Sequence, residues 1–230
     1  MLRALIDGEK RPPRHSKEKA VCPDCGQRLL AVMPIQHAAH WRHKGRDCDP
    51  WSEPEGEWHL AWKERFPEAC REVRLEDEFS GEWHRADVRC LRPGRRAAVL
   101  ELQHSPIVDA ERRARDTFYG REHSMYWLLH IHDEGSFRVT NLRMSLNWTD
   151  PVDCRGRTFY RMTWMGRSTE FIERWKHSAV HVFFDAGDGV YHLATAALCA
   201  DLVASLEKGR FALRRVSEAQ LIAAVSGVTS

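Results

Sequence analysis

No stretch of this sequence approaches the roughly 20 consecutive apolar residues that a membrane-spanning helix needs. That excludes a helical membrane protein. No apolar core of a secretory leader follows the N-terminus either, so the expected location is the cytoplasm, with no membrane partner. Charge of one sign is also missing: 35 Lys and Arg against 33 Asp and Glu leave a net charge of +2. Any nucleic-acid surface must therefore be a local basic patch rather than a global field. There is no internal repeat and no low-complexity tract. With 43% hydrophobic and 30% charged residues, the chain excludes wholesale disorder and is long enough for one domain plus a small appendage. Cysteine is not scarce, but the seven are irregularly spaced and three lie near histidines. That pattern fits metal binding in a reducing compartment better than a disulfide framework.

What is present is read best from residues 85–105, RADVRCLRPGRRAAVLELQHS. Residues 86–91 and 97–103 are short runs rich in β-branched and apolar side chains. Arg92-Pro93-Gly94-Arg95 supplies turn chemistry between them, which predicts a β-hairpin. With Arg92 and Arg96 closing the turn, Asp87 lies across from Glu101. Alternation then sets Val88, Cys90, Ala98, Leu100 and Leu102 on the opposite, apolar face. The polar face presents Asp87, Glu101 and Gln103 together. Opposed acids destabilise a strand pair. A divalent cation reverses that cost, and hard oxygen ligands suit Mg²⁺ or Mn²⁺.

Upstream, Cys22-Pro-Asp-Cys25-Gly26 has the form of a metal knuckle. Two thiolates three residues apart grip one ion across a tight turn. His37, His40, His43 and Cys48 are the candidates to close the site. A thioredoxin-type redox pair is the competing reading, and the histidine cluster weighs toward zinc. A closed site is structural, stapling a lobe with too little apolar content to fold alone. Arg42, Lys44 and Arg46 would let the same lobe meet nucleic acid.

The remaining elements follow from periodicity and punctuation. Residues 1–7 alternate as a strand, 8–19 read as a loop and 49–57 as a linker. A helix is expected over 56–72, ended or kinked by Pro67. On it His59 and Lys63 share one face at i, i+4, and a solvated face is the usual fate of such a pair. A strand is expected over 73–79. After the hairpin, Ser105 and Pro106 open a helix to about Tyr119, ended at Gly120. It offers Arg112, Arg113 and Arg115 to phosphates, but the interleaved Asp109, Glu111, Asp116 and Glu122 make surface salt bridges an equal reading. Residues 125–131 are nearly continuously apolar and predict a buried strand parallel to the second hairpin strand. Farther on, strands are expected over 137–140, 158–164, 180–184 and 211–216, helices over 194–208 and 217–225, and a hairpin turn over 185–189. Trp148, Trp164 and Trp175 suit the core better than base stacking.

In combination these motifs resemble a known family. Asp87, thirteen residues, then Glu101-Leu102-Gln103 resembles the D…ExK pattern of the PD-(D/E)XK nucleases, with Gln in the Lys place. A longer resemblance, over about residues 20–133, is to the competence protein CoiA-like nucleases. It rests on Cys22 and Cys25, His40 and His43, Cys48, His59, Lys63, Asp87, Glu101-x-Gln103-x-Ser105, the arginines from 112 and the apolar strand ending near His132. The resemblance places its HxxH on His40 and His43, followed by Cys48, and the expected zinc ligands are Cys22, Cys25, His43 and Cys48, with His40 or His37 as substitutes. It sets His59 and Lys63 at the mouth of the nuclease site, where Lys63 is a candidate for the cationic role Gln103 cannot fill. Glu57 and Glu72 are weaker candidates for a further acidic ligand.

The implied fold class is α/β, a restriction-endonuclease-like mixed sheet flanked by helices. A small N-terminal zinc-binding lobe (1–52) precedes a nuclease-like core (53–134), and an α+β C-terminal extension (135–230) follows. The implied function is a Mg²⁺-dependent nuclease with structural Zn²⁺, acting on single- or double-stranded DNA in uptake, recombination or phage defence. Recombination or defence proteins are its expected partners. Asp87, Glu101, Gln103, His59 and Lys63 are then catalytic, and Arg112, Arg113 and Arg115 bind nucleic acid. The competing reading is a non-cleaving DNA-binding scaffold in recombination. A zinc hydrolase built on the Cys/His cluster comes third, because such a site looks closed.

Overall fold

The computed structural model describes residues 1, 3–35, 39–45, 47–52, 55–131 and 137–228. The fold is mixed α/β, and the chain forms two compact units, Met1–Ala86 and Asp87–Ser230.

In the first unit, β1 (Ala4–Ile6), β2 (Glu9–Arg11), β3 (Lys19–Val21), β4 (Arg28–Val32) and β5 (His40–His43) form an antiparallel sheet ordered β2-β1-β3-β4-β5. The expected loop over 8–19 thus contains a strand. Asp7 and Gly8 both adopt positive φ, 51° and 86°, the pairing a two-residue hairpin turn requires. Glu9-Lys10-Arg11 has no apolar alternation, so the sequence does not announce β2. Ala4, Ala20, Cys22, Leu29 and Trp41 make the small core of this sheet. The Trp41 indole N–H donates to the Arg11 carbonyl at 3.0 Å, satisfying its one polar atom.

Helix α1 (Glu57–Glu64) stops before Pro67, which cannot continue it. A 3-10 turn (Glu68–Cys70) and β6 (Arg71–Glu76) follow, where a longer helix was expected. The Asp77 N–H bonds the Glu82 carbonyl at 2.8 Å and turns the chain into β7 (Trp83–Cys90). Residues 49–52 are anchored rather than a free linker. Asp49, 2% exposed, accepts from the Arg85 N–H at 2.8 Å and faces His84 Nδ1 at 2.9 Å, and Trp51 stacks on that imidazole.

In the second unit β7 continues and is followed by β8 (Ala98–Gln103), α2 (Asp109–Glu122), β9 (Ser124–His130) and α3 (Phe137–Ser145). Then come β10 (Pro151–Cys154), β11 (Arg157–Thr163), α4 (Glu170–Lys176), β12 (His181–Asp185), β13 (Val190–Leu193), α5 (Ala196–Ser205), β14 (Arg210–Val216) and α6 (Glu218–Ser226). The strands order as β10-β11-β14-β13-β12-β9-β8-β7. The β8–β9 and β9–β12 pairs are parallel and the other pairs antiparallel.

Residues 135–230 therefore do not stand apart as an extension, because their five strands enlarge the sheet that β8 and β9 begin. The segment expected as a strand over 137–140 opens helix α3, which buries Leu142 and Ser145 at i, i+3. Four residues of alternation are too few to set the period. Helix α2 starts at Asp109, not at Ser105-Pro106, and runs through Gly120. Cys154 and Cys199 form a disulfide between β10 and α5, so the preference for metal binding over a disulfide framework is corrected for these two. Their neighbours Phe159, Ala194, Leu198, Leu202 and Ala212 supply an apolar cluster around the bond.

Candidate functional site

In the first unit, strand β3 runs into the Cys22 knuckle. The Cys22 N–H bonds the Gln27 carbonyl at 2.8 Å, the Gly26 N–H returns to the Cys22 carbonyl at 3.0 Å, and Gly26 takes φ 72°. Only a residue without a Cβ adopts that angle readily. The turn aims both thiols at β5 and the segment after it. Ligand atoms of Cys22, Cys25, His43 and Cys48 all lie within 4.8 Å of one another and could hold a metal ion.

The Cys22 and Cys48 sulfurs are 3.8 Å apart, and Cys25 Sγ is 3.3 Å from His43 Nε2. His43 Nδ1 faces Asp47 Oδ1 at 3.2 Å, which orients the ring with Nε2 toward the sulfurs. Burial, joined for Cys48 by the neighbouring Cys22 sulfur, pushes the Cys22 and Cys48 thiols above the ordinary range. Arg85 braces the knuckle through Asp24 at 2.6 Å. On β5, Trp41 and His43 are buried while His40 and Arg42 are not, so alternation turns His40 away from the cluster. His37, Arg46 and His132 lie outside the described residues.

His59 and Lys63 also belong to the first unit, and they do not form a solvated face: they are 3% and 4% exposed. Lys63 Nζ pairs with Glu55 and lies 3.6 Å from Glu72. Glu72 sits at φ 51°, an uncommon conformation for a side-chain-bearing residue. Burial would raise its carboxyl, but Lys63 and Arg85 outweigh that and hold it at about 2. Glu55 is pushed up by burial, with Lys63 opposing and Glu72 adding to the rise. An ammonium bracketed by two buried acids is already compensated. Glu57 is exposed at the start of α1.

In the second unit the central hairpin has the register that its turn predicts. Val88 pairs Leu100, Arg89 pairs Val99 and Cys90 pairs Ala98, so the next step sets Asp87 opposite Glu101. The Asp87 N–H donates to Glu101 Oε1 at 3.3 Å, and Asp87 Oδ2 accepts from the Leu102 N–H at 2.9 Å. Glu101 is 3% exposed, and Arg115 Nη1 donates to its second oxygen at 3.0 Å. Burial first, then the adjacent Asp87 charge, pushes the Glu101 carboxyl up to about 8 against the pull of Arg115. Gln103, equally buried, donates from Nε2 to the Ser105 carbonyl at 2.9 Å. Asp87 and Glu101 are two acids, not three; among the described residues the Cys/His cluster is the group of three or more ligand side chains that converges.

Helix α2 corrects the expected row of phosphate-binding arginines. Arg112 and Arg115 are buried. Arg112 bonds Asp109 at 2.9 Å and Asp116 at 2.8 Å, and Asp116 in turn accepts from the Trp127 indole at 2.7 Å. Arg115 lies over the Trp127 ring at 5.9 Å as well as on Glu101. Arg113 alone of the three is exposed, paired with Asp109. The signal was in the spacing: 112, 115, 116 and 119 are i, i+3, i+4 and i+7, the buried stripe of a helix. Charged residues on such a stripe announce an internal network. Glu55 is the other residue that motif reading overlooked, since it precedes the helix that carries its partner. Trp164 and Trp175 are core, as expected, while Trp148 is 40% exposed.

No family model, curated protein or solved structure matches this chain.

Proposed function

We propose that this chain is a metal-dependent phosphodiesterase acting on nucleic acid, with DNA as its substrate. The observation that carries the reading is the opposed pair of half-buried Asp87 and buried Glu101. Two acids in register repel, and the Glu101 carboxyl is raised by its burial first and by the adjacent Asp87 charge second. Mg²⁺ commonly binds through one or two carboxylates plus waters and substrate phosphates, so this donor set fits it. Bound there, the ion supplies neutralisation of phosphoryl charge and activation of water. Asp87 and Glu101 would hold it, Gln103 orients water through its amide, and Arg115 positions Glu101. The chain order α1, β6, β7, β8, α2, β9, with β8 and β9 parallel, supports a restriction-endonuclease-like core. Lys63, already bracketed by Glu55 and Glu72, is a poor stand-in for the missing motif lysine.

For the Cys/His cluster the reading is a structural zinc. Three sulfurs and one imidazole suit a closed tetrahedral site, and the small core around Trp41 gains folding energy from it.

One observation favours a second reading. Arg115 already occupies an oxygen of Glu101, which compensates the acid pair without a metal. In that case the chain is a non-cleaving DNA-binding scaffold. Cleavage of labelled DNA with Mg²⁺ or Mn²⁺, run beside Glu101→Ala, separates the two.

A further inference from the structure

A cavity of about 760 Å³ in the second unit is lined by Pro106, Arg138, Asn141, Trp164, Arg167, Phe171 and Arg174, among others. That size is ordinary for a small-molecule site. Its wall is built rather than incidental. The buried Ser145 hydroxyl donates to the Asn141 carbonyl at 2.6 Å and accepts from the Met165 N–H at 2.9 Å, which ties α3 to the loop after β11. The Trp164 indole donates to the Ser168 carbonyl at 2.8 Å and closes that loop on itself. Gly166 is required where the loop folds over, because a Cβ there would stand 2.4 Å from the Trp164 ring nitrogen. Arg174 fixes α4 to the segment after β8 through the Ile107 carbonyl at 2.7 Å.

The chemistry of this lining is cationic and aromatic. Arg138 lies over the Phe171 ring at 5.3 Å, and Phe171 and Trp164 approach at 5.7 Å. Arg167 is exposed, and Glu170, an acid at the rim, is engaged with Arg174 at 3.3 Å. Arginine forks match phosphate oxygens, and rings or guanidinium planes stack on bases. Pro106 is three residues past Gln103, so chain reach holds their Cα atoms within about 10 Å.

We propose that this cavity binds a nucleoside phosphate, with the phosphate on Arg138 and Arg167 and the base against Phe171. On the phosphodiesterase reading above, on which this source rests, the nucleoside phosphate is one unit of a single strand entering the site. A free nucleotide carries the same chemistry.

The test is equilibrium binding by fluorescence anisotropy, using the full chain, a short labelled oligothymidylate and unlabelled thymidine monophosphate as competitor, without divalent metal. The Arg138→Ala/Arg167→Ala variant should bind the strand at least about tenfold more weakly. Its salt slope should flatten by about 0.7, one single-strand phosphate contact. Arg167→Glu, at an exposed position, should show the same loss with an unchanged melting temperature, which keeps the test valid if the double variant folds poorly. Competition by the mononucleotide as tight as the strand itself assigns a free nucleotide; a strand that binds far tighter assigns nucleic acid. Wild-type affinity in these variants, or no binding of either probe to the wild type, overturns the proposal. Binding that depends on Arg138 and Arg167 with no cleavage by the wild type leaves the cavity assignment standing and removes the nuclease reading. Glu101-dependent cleavage with normal binding by the variants does the reverse.

Discussion

At the residue scale Glu101 concentrates the argument. Its carboxyl is raised to about 8 in the folded chain against an ordinary value near 4.5. A raised acid binds more protons folded than unfolded between those values. Stability therefore falls as pH climbs from about 4.5 to about 8, and levels off above. We predict that Glu101→Gln melts higher than the wild type at pH 8, by a few degrees, and that the two curves converge near pH 4.5. Thermal melts across that range, without divalent metal, check it; parallel curves would show that Glu101 carries no shift. The opposition of Asp87 and Glu101 was legible because strand alternation and turn residues suffice to give it. The Arg115 contact was not, since the spacing marks the inward stripe of α2 but not which strand residue it meets. Cys22 is the second residue to test. Metal analysis of Cys22→Ser should find the zinc lost and the soluble yield reduced, because a structural site supplies folding energy. Unchanged zinc in that variant would exclude the knuckle as a ligand.

At the scale of elements, α2 separates two meanings of arginine. Removing Arg112 leaves Asp116 buried and uncompensated, so Arg112→Ala should cost about 3–5 kcal/mol. Arg113→Ala, at an exposed pair, should stay within about 0.5 kcal/mol. Urea unfolding of the two variants makes the comparison; equal costs would contradict the inward-facing network. The central hairpin, β12–β13 and the capped α6 were readable because turn and cap residues mark them. Ser217 and Gln220 complete a capping box, and Gly227 ends the helix at φ 74°. Elements without such marks were missed. Polar β2 looks like a loop, and α3 mimics a strand over its first residues. The short α4 takes its place from packing, with Trp175 against Trp127 at 5.6 Å.

For the whole molecule, the sequence motifs divide between two compact units. The Cys/His cluster, His59 and Lys63 lie in one; Asp87, Glu101 and Gln103 lie in the other. Residues 135–230 were the least legible because their strands join a sheet begun elsewhere, and strand order depends on long-range pairing that local patterns do not encode. The disulfide belongs to this scale too, closing a loop between positions 45 apart. Cys199→Ala should lower stability by about 2–4 kcal/mol in denaturant titration, and no change would mean the bond does not form in solution. The central claim is that Asp87 and Glu101 form a metal-dependent nuclease site. Single-turnover cleavage of labelled DNA with Mg²⁺ or Mn²⁺ tests it most directly, with wild type, Asp87→Ala and Glu101→Ala compared after each is shown to fold. The account predicts cleavage by the wild type and none by either variant. Wild-type cleavage by a folded Glu101→Ala protein would contradict it.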